Sequence, residues 1–526
     1  MIPHRPFVRD LTLEQELAEF ERLQQHLPDL WSGLTSPLEE GSPVTSVVVP
    51  SLNLDQAELR KLTGVSFYEE RLLFLLIRLR NPRARMVYVT SQPVHPLVLE
   101  YYFQFLAGIP ASHARARLTL LCAYDASPRS LTEKILERPR LLERIRAGIG
   151  DASRAYLTVF NSTPMERRLS VMLGIPLNGL DPQLTHLGTK SGSRKVFREA
   201  GVPLPEGVED LGGEPEVVEA LAELKGRKPG LRRAVVKLDD SFSGEGNALF
   251  RYPEGVEKPT GEQLRGALSG LELAVPWETR ETYFEKFTRM GGVVEEFLEG
   301  ADKRSPSAQL RIGPRGELIP LSTHDQILGG STGQVFLGCS FPADDAYRRQ
   351  IQEAALRIAE VLRDKGVVSR FAIDFLVWRD AADSDQTWRD APDDPAWQLS
   401  ALEINLRMGG TTHPYLALQF LTGGGLDPNT GLFHSMSGQP KYYRATDNLS
   451  SERYRGLLPD DLIEILTDNK LHYNHGTETG VLFHLIGALS EFGKLGMTAI
   501  ANSRGEVETL YQHALDVLDR EAGSGR

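Results

Sequence analysis

The stretch that decides the fold is a pair of segments, FAIDFLVW (residues 371–378) and ALEINLRMGG (residues 401–410). Side chains two apart on a strand share a face, so Glu403 and Asn405 point the same way, while the apolar residues between them face a core. With Asp374 on the first segment, they form a set of hard oxygen ligands of the kind that Mg²⁺ takes beside phosphates. The pair therefore predicts two neighbouring strands that share a metal site. An outward polar face of an edge strand is the alternative.

A glycine- and serine-rich segment, DDSFSGEGN (residues 239–247), follows the apolar run RAVVKL (residues 233–238). Small residues let backbone N–H groups approach an anion without a Cβ in the way. The segment predicts a loop that folds over phosphates, and a surface turn is the alternative if it is taken alone. The small residues concerned are Ser241, Ser243, Gly244 and Gly246.

The order of these segments resembles that of the ATP-grasp superfamily. TKSGSRKVFREAGVPLP (residues 189–205) resembles the family's first nucleotide-binding segment, which places Lys190 on its first lysine. RAVVKLDD resembles the strand that carries the second lysine, here Lys237. The resemblance implies that both lysines fix the triphosphate, and that Ser243, Gly244 and Gly246 bind its phosphates.

VVEEFLEGAD (residues 293–302) resembles the linker between the two ATP-grasp subdomains. The resemblance implies that Glu295 accepts from the adenine amino group and that backbone groups of Glu296 and Leu298 pair with the adenine edge. It also implies that Asp302 accepts from the ribose hydroxyls.

The same resemblance implies ATP and Mg²⁺ as cofactors, with Mn²⁺ as a substitute. It assigns Asp374, Glu403 and Asn405 to the metal, and Arg407 to the charge on an acyl phosphate and tetrahedral intermediate. Arg370 precedes Asp374 by four positions, whereas several relatives place an arginine two before it. Arg407 is therefore the better candidate for the catalytic arginine.

The substrate side of the cleft is expected along AQLRIG and STHDQILGGSTGQVFLGCSFPA (residues 322–343). In ATP-grasp enzymes this neighbourhood lines the acceptor side. His324 is equally compatible with a structural role. The candidate substrate contacts are Arg311, which we also assign to catalysis, and His324, Asp325 and Gln326.

Other metal ligands are scarce in the sequence. Cys122 and Cys339 are the only cysteines, which excludes a Cys-based zinc site and argues against a disulfide framework. His472 and His475 in HYNHG have no third ligand at a supporting spacing, so we expect a loop or strand end there.

The chain divides into three parts: a Rossmann-like pre-ATP-grasp α/β domain (1–185), an ATP-grasp domain (186–425, with subdomains of about 186–290 and 291–425) and a small C-terminal domain (426–526). The fold class is thus α/β and α+β multidomain. Strands alternating with helices predict a parallel sheet in the first part. Its predicted strands are residues 45–51, 84–91, 116–124 and 154–161.

Two helices are predicted in the C-terminal part, one through the apolar residues of 481–492 and one through those of 507–518 after a Ser503–Glu506 capping box. The whole arrangement resembles the peptide ligases of the pheganomycin type over nearly the full chain. The acidic segment 379–397 is predicted to be an exposed hairpin loop.

The composition limits the partners. A formal net charge of −12 over 526 residues argues against a nucleic-acid partner, which requires clustered Lys and Arg. The first residues lack the apolar stretch of a signal peptide, and we expect a cytoplasmic protein without a membrane partner. The oligomeric state stays open.

The resemblance implies an ATP-dependent carboxylate–amine ligase that forms an amide bond through an acyl phosphate and releases ADP and phosphate. Its substrates would be a small carboxylate and an amino acid or peptide amine. An ATP-grasp kinase or carboxylase and a non-catalytic ATP-binding regulator are the alternatives. The regulator would be expected to have lost a metal ligand, and all three candidate positions are filled.

Overall fold

The computed structural model describes residues 11–31, 44–53, 59, 62–241, 246–275, 278–300, 302–329, 335–379 and 397–524. Within these ranges the strands form four β-sheets. The strands are β1 Thr45–Val49, β2 Arg85–Thr90, β3 Leu118–Cys122, β4 Ala155–Val159, β5 Gly207–Leu211, β6 Arg233–Leu238, β7 Asn247–Arg251, β8 Glu272–Leu273, β9 Gly292–Glu296, β10 Asp302–Arg304, β11 Pro306–Ile312, β12 Leu318–Gly329, β13 Val335–Phe341, β14 Ser369–Arg379, β15 Gln398–Asn405, β16 Gly425–Asp427, β17 Leu432–His434, β18 Tyr442–Ser450, β19 Gly480–His484 and β20 Lys494–Ala501.

The helices flank these sheets. They are α1 Leu13–Gln24, α2 Pro96–Phe103, α3 Ala111–Arg115, α4 Leu131–Leu136, α5 Pro139–Ile149, α6 Pro164–Leu173, α7 Lys190–Glu199, α8 Glu214–Arg227, α9 Gly261–Leu268, α10 Arg280–Met290, α11 Arg348–Asp364, α12 Thr412–Thr422, α13 Pro459–Asp468, α14 Leu489–Phe492 and α15 Arg504–Ser524, with 3₁₀ segments that include Val65–Arg80. In the described part of the chain, none of the helices has the length and apolar character needed to span a bilayer.

The predicted parallel sheet is confirmed. Strands β1 to β4 pair in parallel in the order β3-β2-β1-β4. Strands β1 and β4 are buried along their whole length, as expected when helices cover both faces of a parallel sheet. The order reverses at β1, so the carboxyl ends of β1 and β4 flank a topological switch point, where open α/β sheets bind ligands.

The second sheet is antiparallel and has the order β5-β9-β6-β7-β8. Its core is formed by apolar side chains of β6, β7 and β9 and of the helices packed on them, among them Val236, Phe250 and Phe287. Strands β6 and β9 are adjacent, so the predicted second lysine and the predicted adenine linker lie side by side.

The largest sheet runs β10-β14-β11-β12-β13-β18-β20-β19, with β15 on β14. Along β14, burial alternates with period two. Phe371 and Ile373 face the core that includes α11, while Arg370 and Asp374 face the other side. In the β14–β15 register Asp374 lies opposite Glu403, so the predicted pair of metal strands is confirmed as a pair of neighbouring strands.

The strands after residue 426 extend this same sheet. Strand β18 pairs with β13 through Cys339 and Ala445, and β20 pairs with β18 and β19. One hydrophobic cluster includes Leu76, Phe341, Tyr443 and Met497, and so joins distant parts of the chain. The C-terminal residues are therefore held by shared sheet and shared core. The boundaries near 185 and 425 stay predictions.

The helix predicted through 481–492 is wrong in its first half. Residues 480–484 form strand β19, which is buried at all five positions between neighbouring elements. An apolar run without alternation does not distinguish a buried strand from a helix. Leu485 then adopts a left-handed conformation, φ 57°, which ends the strand before a short 3₁₀ turn and α14.

The last predicted helix is confirmed as α15. The Ser503 hydroxyl accepts from the Glu506 N–H, and the Glu506 carboxylate accepts from the Asn502 N–H. The predicted loop in the acidic segment falls almost wholly on residues 380–396, which lie outside the described residues.

Candidate active site

Lys190 lies at the start of α7, where the local sequence fixes its position. The Thr189 hydroxyl caps the helix by accepting from the Gly192 N–H at 2.9 Å. The N–H groups of Lys190 and Ser191 donate to the carbonyl and the carboxylate of Asp239 at the end of β6. This anchoring directs the buried Lys190 ammonium to Glu403, with Nζ 2.5 Å from Oε1.

Asp374 and Glu403 form a tightly coupled acidic pair across β14 and β15. Burial and the neighbouring Glu403 carboxylate raise the pKa of Asp374 to about 7. Burial opposes ionisation of Glu403 as well, but the Lys190 ammonium, with Arg407 and Lys237, lowers its pKa below the ordinary value. Lys190, Lys237 and Arg407 thus all act on the same carboxylate, which places them in one site.

The donor set around Asp374 fits a divalent cation. Its two carboxylate oxygens accept from the Gln326 amide at 2.7 Å and the Asn405 amide at 3.0 Å. Two carboxylates and an amide oxygen would supply hard ligands, and a bound cation would relieve the crowding that raises the pKa of Asp374. In the described ranges no group of three or more His, Cys, Asp or Glu is arranged to hold a metal.

Lys237 takes part in a second buried ion pair. Its ammonium contacts the Glu295 carboxylate on the adjacent strand β9, and Arg194 of α7 binds the same carboxylate at 2.6 Å. Burial would raise the pKa of Glu295, but the Lys237 and Arg194 charges lower it below its ordinary value. Sequence reasoning missed Arg194. We call Lys190, Lys237, Glu295, Asp374 and Glu403 the ion-paired cluster.

The predicted adenine linker is partly engaged by the protein itself. The Glu296 N–H donates to the Glu206 carbonyl, so an adenine contact at this residue would fall on its own carbonyl oxygen. The Leu298 carbonyl accepts from Lys303 at 3.2 Å. The Asp302 carboxylate lies 3.1 Å from the Arg379 guanidinium, which holds it at the edge of the linker.

The structure describes the predicted phosphate loop only at its two ends. At Gly246 an added Cβ would lie 2.4 Å from the Ser241 side chain, so glycine is required where the loop closes on itself. The Gly246 carbonyl accepts from the Leu238 N–H and the Tyr283 hydroxyl, which anchors this end. Ser243 and Gly244 lie outside the described residues.

Arg311, Arg370 and Arg407 line one small pocket, which we call the arginine pocket. It opens where β14 and β15 meet the carboxyl end of β4, at residues that include Ser162. Arg311 donates to the Asn178 side chain at 2.8 Å and stacks 4.3 Å above the Trp31 ring. Arg311 therefore lies on the α/β side of the cleft rather than within the ion-paired cluster.

The predicted substrate contacts of β12 separate into two faces. Gln326 reaches the acidic pair, as described. Asp325 turns away and accepts from the Tyr347 hydroxyl at 2.6 Å. His324 is fully buried against the Tyr443 hydroxyl, 2.6 Å away, and burial lowers its pKa to about 3. This surrounding supports the structural interpretation of His324.

A buried polar cluster that the sequence did not indicate lies beside Arg407. Arg71 packs over the rings of Phe160 and Tyr68 and binds the Asp447 carboxylate at 3.3 Å, and the nearby Arg407 charge helps lower its pKa after the larger effect of burial. The rings of His413 and His484 lie 4.1 Å apart in the same region. The cluster combines residues from the α/β part, from α12 and from the C-terminal strands.

Two family models match the chain. Residues 182–252 and 274–390 match the model described as IQCH-like, ATP-grasp, and residues 461–514 match the PGM1 C-terminal domain. Among solved structures, the biotin carboxylase–βγ-ATP complex from Campylobacter jejuni has a TM-score of 0.53 at 12% identity, over 91% of this chain and 94% of that one. The ADP complex of purK, N5-carboxyaminoimidazole ribonucleotide synthetase, has a TM-score of 0.50 at 11% identity, over 91% and 98%. The fold is therefore the ATP-grasp fold.

A curated relative narrows this class. The chain is 32% identical over 481 residues to an L-propargylglycine–L-glutamate ligase from Streptantibioticus cattleyicolor, which covers 90% of this chain and 94% of that protein. The chain belongs to the ATP-grasp carboxylate–amine ligases, as its motifs predict. It is an ATP-dependent enzyme.

Proposed function

We propose that this ligase activates the carboxylate of a small acid as an acyl phosphate and joins it to the amine of an amino acid or peptide, with release of ADP and phosphate. The observation that carries the proposal is the convergence of Lys190, Lys237 and Arg407 on the Asp374–Glu403 pair. Charges of both signs are thus arranged where a triphosphate and its cation would need them.

Mg²⁺ would be held by Asp374, Glu403 and Asn405, and it would neutralise phosphate charge as a Lewis acid. Lys190 and Lys237 already lie on carboxylates of this site, so they would exchange those partners for phosphate oxygens when the nucleotide binds. Asn405 currently donates its amide to Asp374. Its side chain would have to present the oxygen instead in the loaded enzyme.

A carboxylate is a poor electrophile because attack on it must expel an oxide-like group, and phosphorylation supplies a better leaving group. The amine then attacks the acyl carbon, phosphate leaves with the bridging oxygen, and the amine loses a proton. Arg407, two residues beyond Asn405, would stabilise the charge on the tetrahedral intermediate. No covalent nucleophile on the protein is needed.

The substrates are proposed to be amino acids or small peptides. The relative from Streptantibioticus cattleyicolor joins L-propargylglycine and L-glutamate, according to its name. Cytoplasmic supply of ATP, Mg²⁺ and amino acids would suit such a reaction. The oligomeric state is not part of the proposal.

The C-terminal strands are proposed to complete the acceptor side. Asp447 on β18 binds Arg71, which packs over the Phe160 ring, and His484 on β19 lies near both of these charges. Because β18 pairs with β13, removal of this segment would expose a sheet edge and a core, so point variants are the better probe. Asp447→Asn is expected to raise the KM for the amine at least several-fold while the KM for ATP is unchanged. An unchanged amine KM would contradict this part of the proposal.

The fate of the carboxylate oxygen tests the route. With an ¹⁸O-labelled acid, Mg-ATP and a productive amine, the released phosphate should carry label and the nucleotide product should be ADP. AMP with pyrophosphate would indicate an adenylate, and a stable phosphorylated product would indicate a kinase. Unlabelled phosphate accompanying amide formation would rule out the acyl-phosphate route.

A further inference from the structure

The arginine pocket concentrates positive charge along its lining. None of the described residues that line it is acidic, although the whole chain has a net charge of −12. The Arg370 Nη1 is buried and has no hydrogen-bond partner in the described part of the chain. A buried donor left without a partner is costly, so its retention calls for a ligand.

The pairing of β11 with β14 brings two of these arginines together. Arg311 and Arg370 are direct cross-strand partners on β11 and β14, a placement in which like charges destabilise a sheet. Burial, with the Arg370 charge next in effect, lowers the pKa of Arg311 to about 9, and burial lowers the pKa of Arg370 to about 10. Both groups still carry charge at neutral pH, so the repulsion persists in the free protein.

The position of the pocket relates it to the reacting end of the cleft. Arg370 and Asp374 share one face of β14 and are four residues apart, which is roughly 13 Å along a strand. Arg407 lines the pocket and also acts on Asp374 and Glu403, so it lies between the two ends. The carboxyl end of β4, at the switch point of the parallel sheet, closes the far side.

We infer that the arginine pocket binds a second carboxylate of the acid substrate, one that is not activated, so that the enzyme selects dicarboxylic acids or acidic amino acids. The inference rests on the proposed function and specifies its substrate class. A cationic pocket favours a carboxylate over an ammonium group, whereas the amine is proposed to bind near the Asp447 carboxylate, which pairs with Arg71. The acid is therefore assigned to the arginine pocket. A carboxylate carried by the amine substrate is the competing source.

The test compares dicarboxylic acids with their half-amides. The probes are L-glutamate with L-glutamine and L-isoglutamine, and glutarate with its mono-amide, titrated calorimetrically into the full chain with Mg²⁺ and a non-hydrolysable ATP analogue. We expect a dicarboxylate to bind about 10–100-fold more tightly than its half-amides, because a buried guanidinium loses a charge-assisted partner. Arg370→Gln should remove this discrimination, and Arg349→Gln, an exposed arginine on α11, should retain it.

The melting temperature separates binding from structure. Arg370→Gln removes one of two opposed like charges, so the free variant should melt at the same temperature or about 2 °C higher. Equal binding of dicarboxylate and half-amide by the wild type would overturn the inference. A lower melting temperature with equal losses for both probes would show a structural arginine and would also overturn it.

Turnover measurements show whether the carboxylate in the arginine pocket comes from the acid or from the amine substrate. They also separate failure of the pocket assignment from failure of the proposed ligase function. If amidation of the amine substrate's carboxylate, rather than of the acid, removes the dependence on Arg370, the assignment to the acid is wrong. If monocarboxylic acids support ADP release as well as dicarboxylic acids, the inference fails and the ligase function stands. If no acid supports ADP release but calorimetry shows the Arg370-dependent discrimination, the ligase proposal fails and the pocket assignment stands.

Discussion

The two ends of the cleft balance buried charge in different ways. In the ion-paired cluster, Glu403 faces Lys190 and Glu295 faces both Lys237 and Arg194. In the arginine pocket, Arg311 faces Arg370 across the sheet and no acidic side chain of the described residues lines the space. A nucleotide bound at the cluster, as proposed, would have to exchange existing ion pairs, whereas an anion in the arginine pocket would supply a hydrogen-bond partner for Arg370. The charges of the ion-paired cluster are thus balanced within the protein, whereas those of the arginine pocket would be balanced by the ligand.

The largest effect is expected for variants that remove the proposed metal ligands. Glu403→Gln removes a metal ligand and a negative charge while the amide can still accept from Lys190. We expect ADP release to fall roughly 10³-fold, which corresponds to about 4 kcal/mol of transition-state stabilisation. Asn405→Ala should also abolish ADP release.

Glu360→Gln, an exposed position on α11, is the matched control and should keep full activity. All three variants should remain folded, with melting temperatures close to that of the wild type for Asn405→Ala and Glu360→Gln and a lower one for Glu403→Gln, which loses the buried Lys190 ion pair. Full turnover by Glu403→Gln or Asn405→Ala would refute the metal assignment. The contrast between the ion-paired cluster and the arginine pocket would then describe structure and not catalysis.

The second effect concerns stability. Glu295→Gln leaves Lys237 and Arg194 in a buried site without their shared carboxylate. We expect a loss of about 3 kcal/mol, because breaking a buried pair leaves uncompensated charge. Urea denaturation should show the lower midpoint.

Arg370→Gln provides the contrast, since it is expected not to destabilise the protein. If Glu295→Gln unfolds at the same urea concentration as the wild type, the ion pairs of the cluster do not preorganise it.

The third effect is confined to nucleotide binding. Asp302→Ala removes the proposed ribose contact, which is made equally in the ground state and the transition state. We expect the KM for ATP to rise about tenfold with kcat nearly unchanged. Asp302→Asn, which can still accept a hydrogen bond, should recover part of the loss. A large fall in kcat at unchanged ATP affinity would count against the ribose assignment.

The smallest effect concerns Glu70, a buried carboxylate that can lose its charge by binding a proton. Burial raises the pKa of Glu70 to about 7, with Glu69 nearby and a hydrogen bond from the Gly487 N–H. Because the folded-state pKa exceeds the unfolded one, the folded protein binds more protons between the two values. The stability contribution is present below about pH 4.5 and is lost as the pH rises through 7.

Glu70→Gln should therefore flatten the fall of the melting temperature between pH 5 and pH 8, by about 2–4 °C in total. Glu360→Gln should leave the slope unchanged. The same slope in Glu70→Gln and wild type would show that Glu70 does not titrate in this range. Arginine cannot neutralise itself in this way at neutral pH, which is why the arginine pocket is expected to need a ligand.

Sequence patterns predicted the parts of this molecule that depend on local repeats. The period-two alternation around Asp374 and Glu403 predicted the two strands, and the Ser503–Glu506 capping box predicted the start of α15. The resemblance to ATP-grasp enzymes supplied the fold and the candidate lysines. Their ligand contacts remain predictions.

Long-range partners were beyond sequence reasoning. Arg194 meets Glu295 across 101 positions, and Arg71 meets Asp447 across 376, so neither spacing carries a local signal. Strand β19 was mistaken for a helix because its residues are buried on both faces, which removes the alternation that identifies a strand. The arginine pocket was only partly foreseen, because the register that opposes Arg311 to Arg370 is set by sheet pairing.

The pairing of β13 with β18 also has a consequence for synthesis on the ribosome. Strand β13 ends at Phe341, and its partner begins at Tyr442. At about 5–20 residues per second, translation leaves the hydrogen-bonding edge of β13 without this neighbour for roughly 5–20 seconds. Strands β14 and β15, which carry the proposed metal ligands, emerge during that interval, next to an apolar surface that only later residues cover. Completion of the catalytic cleft therefore comes late in the life of the nascent chain, and an aggregation-prone edge is exposed until then.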